Sequence, residues 1–322
     1  MMNINDFYME LDKQFHHIIP KEMSDVLTID KVEVVKFNDE ELHGLTFKTK
    51  DRNAAPTFYV DAYFEDFKAG RMAIADISSD MFSMYLNSRE YAPTMTAAEE
   101  LDFSFETIKD KLSIRVLDPN RNKLFLADKP YFDIDGGLAA IVDINLGKDY
   151  RTVVNDNVLE QIGVDKGVLY ETALENMASI DAPVLCDMTS AIFGDRENIL
   201  NGGKLEPWEV GQMYVLTNES GISGAAYVTD PEILKKAADV LGSSYYVLPS
   251  SIHEVLLLPG ADSHSLENLH DMVLQANRTV VDARDVLSDD VFFYDSYEHS
   301  FKNLTADVKV EEEETYDDDL DI

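Results

Sequence analysis

Between residues 214 and 259 the spacing of hydrophobic positions changes several times, and turn or cap residues mark each change. Residues 212–217 and 225–228 are β-rich runs. Asn218, Glu219, Ser220, Gly221, Ile222, Ser223 and Gly224 separate them, which predicts a hairpin with a long loop. Asp230 before Pro231 has the form of an N-cap followed by proline at the first helical position, where a missing N–H costs nothing. Ile233, Leu234, Ala237 and Leu241 then make an apolar stripe and Gly242 a left-handed stop, so a helix is expected over 231–241. Residues 245–248 and 253–258 predict strands joined through Pro249, Ser250 and Ser251, and a second helix follows over 265–276. The unit reads ββαββα, an antiparallel sheet with helices on one face.

Upstream the same periods recur. Residues 5–19 carry Phe7, Leu11, Phe15 and Ile18 on one helical face and stop at Pro20. Strands are expected over 32–37, 45–49 and 57–60, then a long helical stretch over 62–85. A short helix over 101–111, strands over 114–117 and 124–126, and a hairpin turning at Asp135, Gly136 and Gly137 come next. Two helices, 155–162 and 165–179, lead into a less regular stretch over 181–207. The pattern predicts an α+β protein of two mixed domains with mainly antiparallel sheets. The expected domains are 1–180 and a C-terminal 181–302, followed by a disordered acidic tail over 303–322.

Charge changes this picture more than composition does. The chain of 322 residues has 45% hydrophobic residues, enough for a large core, but 62 Asp and Glu against 27 Lys and Arg give a net charge of −35. The tail accounts for −8 of this, so −27 lies on the part expected to fold. Self-repulsion and phosphate repulsion argue against direct binding to nucleic acid or to an anionic membrane and favour a basic protein partner. The single cysteine, Cys186, the charged N-terminus and the lack of an apolar run near ~20 residues predict a soluble, cytoplasmic protein.

The segments YVLTNESGISGAAYV, YYVLPSSIHEVLLLP and DVLSDDVFFYD, with APTFYVDAYFEDFKAGR and NVLEQIGVDKGVLYETALENM upstream, carry a resemblance. They resemble a family of uncharacterised proteins, a domain of unknown function common in gut Firmicutes and their mobile elements. That resemblance covers most of the chain and implies no activity.

Motif-grade chemistry is scarce. Asp133, Asp135 and Gly136 begin like a calcium loop, but Gly137 stands where the third acidic residue belongs, and a hairpin turn accounts for the stretch. His253 and Glu254 form HE with Leu257 where a zinc-binding second histidine belongs. Gly202, Gly203 and Lys204 form GGK, with Asn198 and Leu205 where a phosphate loop needs Gly and Ser or Thr. Cys186 sits among apolar residues and reads as a buried small hydrophobe. No metal and no cofactor is implied. Ser250, Ser251 and His253, with Asn218 and Glu219 of the long loop, are the candidate binding residues, expected at a cleft between the two domains. Two functions follow. One is a non-enzymatic acidic interaction protein that binds a basic partner, with mimicry of nucleic acid as its sharpest form. The alternative is an enzyme or small-ligand binder using that cleft. Interaction is favoured over catalysis.

Overall fold

The computed structural model describes residues 2–49, 55–88, 102–147, 150–194, 196–202, 212–260 and 265–306. The chain forms a mixed α+β fold with several antiparallel sheets. It divides into two compact units, Met1–Lys36 with Glu40–Asp102, and Phe37–Asp39 with Phe103–Ile322. The expected acidic tail falls mostly outside the described residues, which end at 306.

In the first unit, α1 (Ile4–Ile18) begins at a capping box. Asn3 Oδ1 accepts the Asp6 N–H at 2.9 Å and Asp6 Oδ2 accepts the Asn3 N–H at 3.3 Å. Its stripe of Phe7, Leu11 and Phe15 is buried, and a four-residue helix, α2 (Lys21–Ser24), follows. The sheet runs in the order β1 (Leu27–Val35), β2 (Glu41–Thr49), β3 (Thr57–Tyr59), all antiparallel. The long helical stretch expected over 62–85 is two helices, α3 (Asp61–Lys68) and α4 (Ile74–Ser88), separated at Gly70, whose φ is 70°. Ile77, Met81 and Tyr85 of α4 join Phe15 and Phe47 in one core, with Phe15 and Phe47 edge to face at 5.5 Å. Each fully buried aromatic or aliphatic side chain there stabilises the unit by roughly 1.5–3 kcal/mol.

The second unit holds two sheets. After a short helix, α5 (Phe105–Ile108), come β4 (Leu112–Leu117), β5 (Tyr131–Ile134), β6 (Leu138–Gly147) and β7 (Tyr150–Val153), with β6 pairing the other three. The 135–137 turn joins β5 to β6 as expected. Residues 124–126, expected as a strand, form part of a tight turn that continues as a 3₁₀ helix, Phe125–Asp128. The helices α6 (Asp156–Ile162) and α7 (Lys166–Ile180) match the pattern, the first stopping at Gly163 with φ 76°.

The stretch expected to be irregular contains β8 (Pro183–Asp187) and α8 (Met188–Phe193); Gly203 and Lys204 lie outside the described residues. The Asn198 side chain lies along β8 like a further strand, accepting the Leu185 N–H at 3.2 Å and donating to the Pro183 carbonyl at 2.7 Å. No separation falls at residue 181. Tyr227 donates to the Asp181 carbonyl at 2.6 Å, and the Asn176 side chain donates to the Lys109 carbonyl at 2.6 Å, so residues 103–180 belong with the strands that follow.

The six-stranded sheet has the order β13 (Ser300–Asn303), β12 (Phe292–Asp295), β10 (Tyr245–Ser251), β11 (Glu254–Pro259), β9 (Tyr214–Asn218), β8. Two expectations are corrected here. The segment 225–228, read as a strand, lies within a 3₁₀ helix, Gly224–Thr229, so β9 pairs β8 and β11 instead of a hairpin partner. The helices α9 (Pro231–Leu241) and α10 (Leu266–Thr279) also do not share a face. Tyr245 donates to the Leu234 carbonyl of α9 at 2.8 Å, whereas the next residue, Tyr246, packs with Leu269 and Val273 of α10. Successive strand residues point to opposite faces, so both faces are covered. The caps of α9 are as read, with Asp230 accepting from the Glu232 and Ile233 amides and Gly242 at φ 71°.

Candidate functional site

The end of β9 and the turn between β10 and β11 meet because β9 pairs β11, with Leu216 opposite Val255. This register brings the two groups of candidate residues together. The Asn218 side chain staples its own loop, donating to the Ile222 carbonyl at 2.8 Å and accepting the Ile222 N–H at 3.1 Å. Glu219 is exposed, and its backbone N–H donates to the Ala182 carbonyl at 3.0 Å. Ser220 binds Asp181 through its N–H at 3.0 Å and its hydroxyl at 2.5 Å. Ser223, at φ 60°, turns the chain into the 3₁₀ helix. A β-carbon added at Gly224 would lie 2.7 Å from the His253 carbonyl oxygen, so the two segments touch backbone to backbone.

His253 is at the centre. Its Nδ1 accepts the Ser223 N–H at 3.1 Å and its carbonyl accepts the Thr217 hydroxyl at 2.9 Å. A backbone N–H only donates, so the neutral ring carries its proton on Nε2, which lies 3.6 Å from Asp285 Oδ1. Ser251, the last residue of β10, accepts the His253 backbone N–H on its Oγ at 3.0 Å, so it fastens the turn and is not a partner of the ring. Ser250 is half-buried where the β10–β11 register shifts.

A nucleophile–histidine–carboxylate relay needs the nitrogen opposite the carboxylate to face a hydroxyl or thiol. Here that nitrogen faces a backbone amide. The corner joins two loops and has no free basic lone pair in this conformation. The adjoining cavity, lined by Ser113, Asn145, Arg151, Asn218, Ser223 and Tyr227, is about 30 Å³, the space of one water molecule. Burial, followed by nearby Asp181, pushes the Tyr227 hydroxyl far above the usual tyrosine range. Cys186 is fully buried, and burial raises its thiol, so it packs as the sequence suggested. Ser223 belongs to the candidate loop, whereas Asp285, Asp181 and Arg151 complete the corner and were not singled out by sequence. They lie 30 or more residues from their partners, and no local pattern marks them.

A second His–Asp pair, in the first unit, has the opposite polarity. His43 Nδ1 donates to Asp61 Oδ1 at 2.9 Å, and Asp61 Oδ2 accepts the His43 backbone N–H at 2.8 Å. The ring is thus oriented with Nε2 as its acceptor when neutral. Tyr8 donates to the Gly44 carbonyl at 3.2 Å, and burial, then Asp61 and Glu33, push its hydroxyl up to about 12. Among the described residues no group of three His, Cys, Asp or Glu side chains is placed to hold a metal ion. Nor is any described helix long and apolar enough to cross a membrane.

A family model matches residues 4–296. The chain belongs to the family of unknown function DUF5688. The match reaches across both compact units, so α1, the three-stranded sheet and the strands from β4 to β12 lie within the family's extent. No curated protein and no solved structure matches the chain.

Proposed function

We propose that this protein acts by binding a basic protein partner, without catalysis of its own. The observation that supports this reading most is the net charge of −35, most of it ahead of the terminal acidic run. At the candidate corner, His253 Nδ1, Ser251 Oγ and the Asn218 amide are already engaged within the fold, which leaves carboxylates such as Glu219 to face solvent. An acidic surface of this kind steers cationic partners and speeds their encounter. The alternative, a small-ligand or catalytic site at the same corner, finds no support in a cavity of about 30 Å³.

The test is capture of interacting proteins on immobilised full-length chain, identification by mass spectrometry, and titration of the purified pair at low and high salt. The expected result is a single basic protein whose Kd weakens steeply with salt, because exposed charges are screened beyond about 10 Å at roughly 0.1 M. Retention of nothing beyond what an unrelated protein of equal acidity retains would overturn the reading.

A further inference from the structure

Three sheet ends invite comparison. The outer edge of β8 is closed by the Asn198 side chain. The edge strand β13 is only four residues long. The edge of β1 is nine residues long, and among the described residues nothing pairs with its outer side.

The direction of its backbone groups follows from the hairpin. Lys36 donates to the Glu40 carbonyl at 2.8 Å, so the even-numbered residues of β1 exchange hydrogen bonds with β2. The odd-numbered residues of β2 point the other way, as the Val60 N–H to His43 carbonyl bond of 2.8 Å confirms. The N–H and C=O groups of Leu27, Ile29, Lys31, Glu33 and Val35 therefore point outward. Such an edge is a template for a further strand unless something blocks it.

The side chains select the strand. Lys31 and Glu33 are exposed, and neither has an ion-pair partner among the described residues, whereas neighbouring Asp30 is held by Lys48 at 2.9 Å. The Lys31 ammonium lies 4.8 Å over the Tyr8 ring. Outward groups pair only with outward groups, so odd residues must face odd residues in an antiparallel two-fold. Centring on Lys31 or on Glu33 sets like charges against each other. Centring on Val32 sets Lys31 opposite Glu33 twice and Ile29 opposite Val35 twice. Opposite charges directly across an antiparallel pair stabilise it and like charges destabilise it.

We infer that β1 is a homodimer interface in which two copies of the chain join their sheets edge to edge, antiparallel, about a two-fold axis at Val32. The interface is isologous, as closed dimers require. The net charge opposes association at low salt, and screening within about 8 Å at roughly 0.15 M removes most of that opposition. This inference is independent of the proposed basic partner.

Sedimentation velocity of the full chain at about 0.15 M salt over a wide concentration range tests it. The expected result is a mass rising with concentration from 36.3 kDa toward twice that value. Lys31→Glu and Glu33→Lys each set like charges across the axis at two places and should weaken the dimer by about tenfold or more. An equimolar mixture of the two variants should regain it. In the mixed dimer one copy carries carboxylates at both positions and the other carries ammonium groups at both, so each pair across the axis is again of opposite charge. The mixture also controls for folding, since a misfolded variant restores nothing. A wild-type chain that stays monomeric throughout, a dimer unaffected by either variant, or a mixture no tighter than its components would overturn the inference.

Discussion

Asn38 and Asn122, 84 residues apart in sequence, bind each other twice. Asn122 Oδ1 accepts the Asn38 N–H at 2.7 Å, and Asn122 Nδ2 donates to Asn38 Oδ1 at 3.2 Å. Asn38 also donates to the Ala283 and Val286 carbonyls at 2.8 and 3.0 Å, while Asp39 accepts the Leu124 and Phe125 amides. This three-residue turn is a structural part of the second unit although strands of the first unit flank it in sequence.

Asn38 has φ 57°, a conformation that costs an alanine roughly 1 kcal/mol and glycine little. Asn38→Ala should destabilise the second unit by about 3 kcal/mol, from lost hydrogen bonds and backbone strain together. Asn38→Gly should cost about 1 kcal/mol less. Denaturant unfolding followed by amide exchange at Leu124 and Phe125 checks this. Equal losses in the two variants would mean the left-handed backbone contributes nothing.

Gly224 and Gly242 should separate crowding from conformation. A β-carbon at Gly224 would lie 2.5 Å from Thr217 Oγ1 and 2.7 Å from the Asn218 nitrogen, whereas at Gly242 nothing lies within 4 Å and only the φ of 71° opposes alanine. Gly224→Ala is expected to cost about 2–3 kcal/mol and Gly242→Ala about 1 kcal/mol, read from thermal unfolding. The reverse order would show that Gly224 is not packed against β9 and the 253 turn.

The His253 tautomer is directly observable. In a long-range proton–nitrogen spectrum of the full chain the neutral ring should show Nε2 protonated and Nδ1 bare. Replacing His253 by Ala leaves the Ser223 N–H without its acceptor and should cost about 1–2 kcal/mol. A proton found on Nδ1 would return His253 to consideration as a base.

Several tyrosines raised by burial set the alkaline stability, Tyr8 and Tyr63 among them. Burial raises Tyr8 and Tyr63 from 10.0 to about 12, with Asp61 and Glu33 adding to Tyr8 and a hydrogen bond to Asp80 adding to Tyr63. A folded-state value above the unfolded one means that stability is fully present below pH about 10 and is lost as pH rises toward 12. Tyr8, 4% exposed, should contribute more of this loss than half-buried Tyr63. Tyrosinate absorbance and unfolding midpoints measured together from pH 9 to 12 test it, and Tyr8→Phe should flatten the decline. Ionisation of every tyrosine near 10 in folded protein would contradict the burial of Tyr8.

The chain itself determined the elements whose signals lie within a turn or two of sequence. The α9 helix was legible from Asp230, Pro231, its stripe and Gly242, and α1 from Phe7, Leu11 and Phe15, because caps and helical period act locally. The hairpin at 135–137 was legible for the same reason, and so was the pairing of β10 with β11, although the turn expected at Pro249, Ser250 and Ser251 falls later, at Ile252 and His253, and those three residues end β10. Tertiary structure decided what local signals leave degenerate. Ala225–Val228 is apolar throughout, which suits a strand, yet every residue is buried in a 3₁₀ turn wedged against β9 and β11. The opposite faces taken by α9 and α10 rest on whether Tyr245 or Tyr246 meets each helix, and two adjacent tyrosines carry no such instruction. The candidate corner divides in the same way. Asn218 and Ser251 could be named from turn chemistry and His253 from its nearness to the serines, but that His253 accepts an amide 30 residues away, and so holds no free lone pair, exists only once β9 and β11 pair, since strand register is set by non-local burial.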